Sequence, residues 1–280
     1  MRPSFFKTRK IQSAYCAHPS LMLRITRLFI HTVICTAILT FSSCREGKDT
    51  TTLFFSDGSE TQDSLSLRIA ILPVKECHVL RHAQESGLAA RMGLDMELVP
   101  YDAMMDIDTA VLSDMAHVYF EDSLRICRIL ADSVRPEMLL PIPVCLKLIA
   151  NKDKGIADIT DLKTNMVGLT RWSQLERWMN GITDSTGIEE MDVYHAQVNS
   201  LPIRFSMVKD GLIDAAILPQ PWADSLITLG HHTLRDTIVS GMGFFISPDA
   251  QNDSIRQRQA SLLKKVYLEA LKQTTDTTTT

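Results

Sequence analysis

Two tryptophans, one arginine and a set of carboxylates carry most of the chemistry this chain can offer. Trp172 and Trp222 each follow a short apolar run, in MVGLTRW and DAAILPQPW. In a cleft, an indole stacks on a flat ligand or a cation; in a core it only fills space. Arg171 presents a planar fork that suits a carboxylate, sulfonate or phosphate, or else makes a surface ion pair. Glu121, Asp122 and Asp106 can accept from an amine or a pyrimidine donor. For Asp122, at the head of DSLRICRIL, helix capping is the stronger reading.

Covalent chemistry has little to work with. The sequence holds no GxSxG, HExxH or P-loop, so no catalytic residue is assigned. Glu76-Cys77-His78 resembles a metal or thiol site, but no second Cys/His pair at zinc spacing accompanies it. No metal and no cofactor is expected. Of six cysteines, Cys77, Cys127 and Cys145 lie in the body of the chain, an odd number without close spacing. They read as mostly buried thiols, with a Cys127–Cys145 bridge as the alternative in an oxidising compartment. His231 and His232 would point to opposite faces of a strand. Met104-Met105 reads as core.

The elements that must position these residues start at Leu67. LSLRIAILP is a strand ending at Pro73, VLRHAQESGLAARMG has helical spacing closed by Gly93, and DMELVPY is a second strand. A helix over 104–112, the strand MAHVYF and the helix DSLRICRIL follow. PIPVCLKLIAN holds Pro141 and Pro143, so it reads as extended chain passing between lobes. A second alternation runs through MVGLT, SQLERWMNGI, MDVYHAQ, SLPIRFSMVKDG, DAAILP and a helix from about Pro221. HHTLRDT and MGFFISP read as strands returning to the first lobe, and SIRQRQASLLKKVYLEALKQ as a closing amphipathic helix. No repeat is visible in the sequence.

Strands and helices alternate on short connections, which gives an α/β class with mainly parallel sheets. Lobe 1 is expected over 67–142 and 233–272, lobe 2 over 143–232, and a disordered tail over 273–280. Ligands of open parallel sheets bind at the carboxyl ends of strands. That rule selects the loops 73–77, 101–106, 120–123, 170–173, 198–201 and 219–222.

The N-terminal region decides compartment. Arg24 and Arg27 precede an apolar run over 28–41, then Ser42, Ser43 and Cys44. Basic, apolar, small, cysteine is the layout of a lipoprotein signal peptide. The run is shorter than the roughly 20 residues a bilayer span needs. Residues 1–43 are expected to be removed, with Met22 an alternative start that leaves 1–21 upstream. Cys44 would carry lipid, and 44–66 would be a flexible tether. The six basic residues of that leader (Arg2, Lys7, Arg9, Lys10, Arg24, Arg27) leave 23 basic against 33 acidic residues in a mature chain of 237, a net charge of −10. Such a chain has no electrostatic reason to bind nucleic acid.

From Leu67 to Lys272 the chain resembles the substrate-binding lipoproteins of ABC transporters, type 2 periplasmic-binding class, in the subgroup that takes nitrate, sulfonates, taurine and thiamine pyrimidines. The resemblance rests on LRIAILP, HAQESGLAARMGLDMELVPY, NKDKGIADITDLKTNMVGLTRWS and MVKDGLIDAAILPQPWADSL, in that order. It implies a two-lobe periplasmic-binding-protein-like fold, facing the periplasm, that closes on a small solute. It implies an ABC permease and ATPase as partners, a lipid anchor in the membrane, and a monomer. By matching position it gives cleft roles to Pro73, Lys75, Glu76, Tyr101, Phe120, Glu121, Asp122, Thr170, Arg171, Trp172, Ser173, Pro219, Gln220 and Trp222. Gln220 stands where members often carry Glu. Two other readings stay open. One is an enzyme on the same fold, pyrimidine-forming or chorismate-dehydratase-like, using Glu76, Cys77 and His78. The other is a sensor or structural lipoprotein without transport.

Overall fold

The computed structural model describes residues 53–54, 60–61, 66–130 and 135–277. The expected leader 1–43 and Cys44 lie outside the described residues. In the first of two compact units, 1–63, Leu53–Phe54 pairs antiparallel with Glu60–Thr61, so the expected tether holds a short strand pair.

The second unit, 64–280, contains two five-stranded sheets. The first lobe begins with β1 (Leu67–Ile71), α1 (Lys75–Glu85), α2 (Leu88–Arg91) and β2 (Met96–Pro100). It continues with α3 (Met104–Leu112), β3 (Val118–Asp122), α4 (Ser123–Leu130) and β4 (Glu137–Pro141). The second lobe holds β5 (Val144–Ala150), β6 (Met166–Leu169), α5 (Gln174–Thr186), β7 (Tyr194–Gln197) and α6 (Leu201–Lys209). It closes with β8 (Ala215–Pro219), α7 (Trp222–Thr228) and β9 (His232–Val239). The chain then returns to the first lobe as β10 (Met242–Ile246), α8 (Pro248–Gln251) and α9 (Ser254–Thr277).

Both sheets obey one plan. In the first the order is β2-β1-β3-β10-β4, in the second β7-β6-β8-β5-β9. Three parallel strands come first. A strand that crosses between the lobes then inserts antiparallel, and an edge strand pairs antiparallel with it. The sheets are therefore mixed rather than mainly parallel. The repeat lies in the topology and leaves no trace in the sequence. Strands β3, β8 and β10 are buried at every residue, as apolar runs covered on both faces should be. Edge strand β4 ends in Pro141, which an edge tolerates because it need not donate on both sides.

Two expectations are corrected. HHTLRDT does not return to the first lobe: His232–Val239 pairs with β5 over its length. The second crossover is at 240–241, beside the first at 142–143: Ile142 N–H donates to Met242 O (2.9 Å), and Gly241 O accepts the Ser123 N–H at the start of α4 (2.8 Å). A Cβ on Gly243 would sit 2.3 Å from the Leu140 carbonyl oxygen, so only glycine lets β10 and β4 approach this closely. The expected tail is also corrected over 273–277, because α9 continues to Thr277; 278–280 lie outside the described residues. No Gly or Pro follows Lys272 to stop it, and Thr274 Oγ1 donates back to Leu271 O at 2.9 Å.

Candidate functional site

The carboxyl ends of the parallel strands of both lobes face one another. Strand β1 leads to Pro73, whose carbonyl accepts the indole N–H of Trp222 at 2.7 Å. Lys75 donates its backbone N–H to Gln220 O at 3.0 Å, and Leu201 donates to Asp102 O at 2.9 Å. Ala103 and Ser200 form an isolated antiparallel bridge. The lobes are thus closed on each other through direct hydrogen bonds.

Between them lies an enclosed cavity of ≈ 20 Å³, enough for about one water molecule. Its walls include Leu72, Val74, Met104 and Met242 from the first lobe and Leu175, Leu201 and Pro219 from the second, with Thr170, Asn199 and Arg204 as the polar members. The Asn199 Oδ1 is buried without a hydrogen-bond partner. A separate, wider groove of ≈ 260 Å³ runs across the boundary, lined by Met105, Asp108, Arg125, Arg128, Ile129, Trp172 and Gln197.

Trp172 stands out in that groove. It is 48% exposed and has φ 55°, a left-handed conformation that costs a side-chain-bearing residue of order 1 kcal/mol. Glu176 Oε2 holds it there by accepting its backbone N–H at 2.6 Å, while Oε1 accepts from Arg171 Nε at 3.1 Å. The Arg128 guanidinium, from the first lobe, lies 4.1 Å from the Trp172 ring centroid.

The other expected residues divide. Thr170 and Ser173 are buried: Ser173 caps α5 by accepting from Leu175 N–H, and donates to Thr170 O at 2.6 Å. Pro219 reaches the cavity. Gln220 donates to Asp224 Oδ2 at 2.7 Å, and Trp222 packs at 5.5 Å on Phe205. Tyr101 is half-buried and donates its backbone N–H to Ile71 O. Lys75 points to solvent. Phe120 is corrected: its ring stacks edge-on against Phe244 inside the first lobe, at 5.2 Å, because strand alternation turns it from the loop into the core.

Glu121 and Asp122 are fully buried at the end of β3. Glu121 Oε1 accepts the Asp122 backbone N–H at 2.8 Å, and Arg125 Nε lies 3.7 Å from it. Burial, reinforced by the Asp108 carboxylate, lifts Glu121 well above the usual carboxylate range. Asp108 is itself raised by burial, although it pairs with Arg125. Asp122 accepts from Leu124 N–H and from Gln174 N–H, so its expected capping role extends to a helix in each lobe.

Glu76, Cys77 and His78 do not form a reactive set. Cys77 is buried, and burial pushes its thiol far up. Burial raises the Glu76 carboxyl and lowers the His78 imidazole. Cys77, Cys127 and Cys145 are free thiols. Among the described residues, no group of three metal-ligating side chains occurs, and no helix is long and apolar enough to cross a membrane.

Arg204 is the residue the sequence reading missed. It is fully buried, and among the described residues no carboxylate pairs with it. Its guanidinium donates to Val198 O, Ile217 O and Thr170 Oγ1, joining the middle of β8 to the residues that follow β7 and β6. Burial lowers its pKa to about 9. The signal was a charge on the stripe Leu201, Arg204, Val208, which helical spacing turns inward.

No family model and no curated protein matches the chain. Solved structures do. A Bordetella bronchiseptica RB50 protein superimposes with TM-score 0.62 at 17% identity, over 74% of this chain and 71% of that one. The alkanesulfonate-binding protein SsuA of Xanthomonas axonopodis pv. citri gives 0.60 at 15%, over 74% and 73%. The periplasmic nitrate-binding protein NrtA of Synechocystis PCC 6803 gives 0.63 at 13%, over 74% and 61%. The fold is that of the periplasmic binding proteins. At these identities the likeness is one of fold.

Proposed function

We propose that the protein is an extracytoplasmic solute-binding component that captures a small molecule between its lobes and hands it to an ABC-type permease. The observation that carries this is the meeting of strand-end loops from both lobes at one boundary, with the two crossovers side by side at 142–143 and 240–241. Paired crossovers let two rigid lobes hinge. The strained, exposed Trp172 supports a ligand role in the groove at the boundary, since strain of this kind concentrates at functional sites. Sulfonate and nitrate binding by the structural neighbours supports the same class of function.

In this reading the leader 1–43 is cleaved, Cys44 carries the lipid, and the monomer hangs from the membrane facing the periplasm. Trp172, Trp222 and the loops around Pro73 and Thr170 hold the solute, with no catalytic step. The raised Cys77 thiol argues against the enzymatic alternative, because the thiolate is the nucleophile. The small apolar cavity favours a second reading, a sensor or structural lipoprotein. Isothermal titration with solutes found by co-purification tests the proposal. Saturable binding weakened by Trp172→Ala supports transport or sensing, and a protein that binds no solute is structural.

A further inference from the structure

The segment over 121–128 of the first lobe meets the segment over 170–176 of the second in four contacts. Asp122 Oδ2 accepts the backbone N–H of Gln174 at 2.6 Å. Arg125 Nη1 donates to Arg171 O at 3.1 Å. The Arg128 guanidinium stacks on Trp172. The fourth is a weak side-chain bond from Gln174 Nε2 to Ser123 Oγ at 3.4 Å. All four belong to β3 and α4 on one side and to the loop entering α5 and its first residue on the other.

The first contact is the unusual one. Gln174 is the first residue of α5, a 13-residue helix, so its N–H is one of the donors a helix leaves without an internal partner. A carboxylate there also gains from the helix dipole. The partner is not a residue of the same lobe, as in an ordinary cap. Asp122 reaches it across the boundary while its other oxygen accepts Leu124 N–H of α4 at 2.8 Å. One fully buried carboxylate therefore joins the starts of two helices, one in each lobe. Elsewhere on the boundary the mostly apolar cavity between the lobes is only ≈ 20 Å³, and direct hydrogen bonds join the lobes there.

We propose that Asp122 is a built-in clasp: bound to the N-terminus of α5, it holds the two lobes shut by protein contacts alone. Entry of a solute then requires the clasp to release. The apparent affinity of any solute is reduced by the fraction of molecules with the clasp open. This consequence rests on the solute-binding reading; the clasp itself does not.

The test uses substitutions that separate the hydrogen bond from the fold. Gln174→Pro removes the donor N–H at the first helical position, where proline is well tolerated, together with the side chain that bonds Ser123 Oγ. The preceding Ser173, at φ −134° and ψ 175°, already has the extended backbone proline demands. Gln174→Ala keeps the N–H and removes the side chain, and Asp122→Ala removes the acceptor. Small-angle scattering of the purified protein without added solute reads lobe closure, and circular dichroism checks that each variant is folded. We expect the wild type and Gln174→Ala to share one compact profile, and Gln174→Pro and Asp122→Ala to shift to a larger radius of gyration. The proposal is overturned if Gln174→Pro stays as compact as Gln174→Ala, if both expand alike, or if the wild type is already open. Failure to bind any solute would remove the transport reading and leave this comparison intact.

Discussion

The indole Nε1–H of Trp222 in the second lobe donates to the Pro73 carbonyl of the first lobe at 2.7 Å. The same ring packs on Phe205 of its own lobe. Trp222 thus links the packing of one lobe to the backbone of the other. Trp222→Phe keeps an aromatic ring but loses the donor. A typical buried hydrogen bond contributes about 1 kcal/mol, which is roughly 2–4 °C in Tm for a domain of this size. Calorimetry should show a fall of that order, and an unchanged Tm would mean the contact contributes nothing to closure.

Arg204 should prove indispensable to the second lobe. Arg204→Met fills similar space but strips hydrogen bonds from the Val198 and Ile217 carbonyls and from Thr170 Oγ1. Each buried group left unmatched costs about 1–3 kcal/mol. Arg204→Lys should rescue little, because an ammonium cannot reproduce the planar fork. Urea unfolding is expected to show a loss of several kcal/mol for both variants. Near-wild-type stability of the Lys variant would contradict the three-way role.

His117 predicts how stability depends on pH. Its Nδ1 accepts the Arg68 backbone N–H at 2.9 Å, and burial, with Arg256 and Arg68 nearby, lowers its pKa to about 4. The unfolded imidazole titrates near 6.5, so on acidification the unfolded chain takes up this proton first. The stability that neutral His117 contributes is fully present above about pH 6.5 and is lost as pH falls towards 4. His117→Asn keeps an acceptor that does not titrate. Its Tm should fall less than that of the wild type between pH 7 and pH 5. Parallel losses would exclude His117 as the titrating group.

Much of the fold was legible because local patterns decide it. The helix over 104–112 and the apolar strands LRIAI and AAILP carry their own periodicity, and their buried faces follow from it. The lobe assignment of His232–Val239 was not legible. Its exposure alternates along an edge strand, so its pattern suits an edge of either sheet, and only pairing with β5 decides. The strand Glu137–Pro141 was missed for a related reason: an edge strand ending in proline has a weak signature. The strand-end rule selects the loop of Trp172 and Ser173, and that loop lies at the lobe boundary. The width of the cleft and the span of Asp122 could not, because both depend on how two separately folded lobes meet.

Native mass spectrometry of the full-length protein, extracted in mild detergent, tests the central claim of solute capture most directly. The account predicts an adduct of constant small mass on the wild type, diminished in Trp172→Ala, whose ring would contribute about 1–3 kcal/mol as aromatic anchors do. A folded wild type that carries no small molecule from its native cells, and that gains none from a panel of solutes, would contradict it.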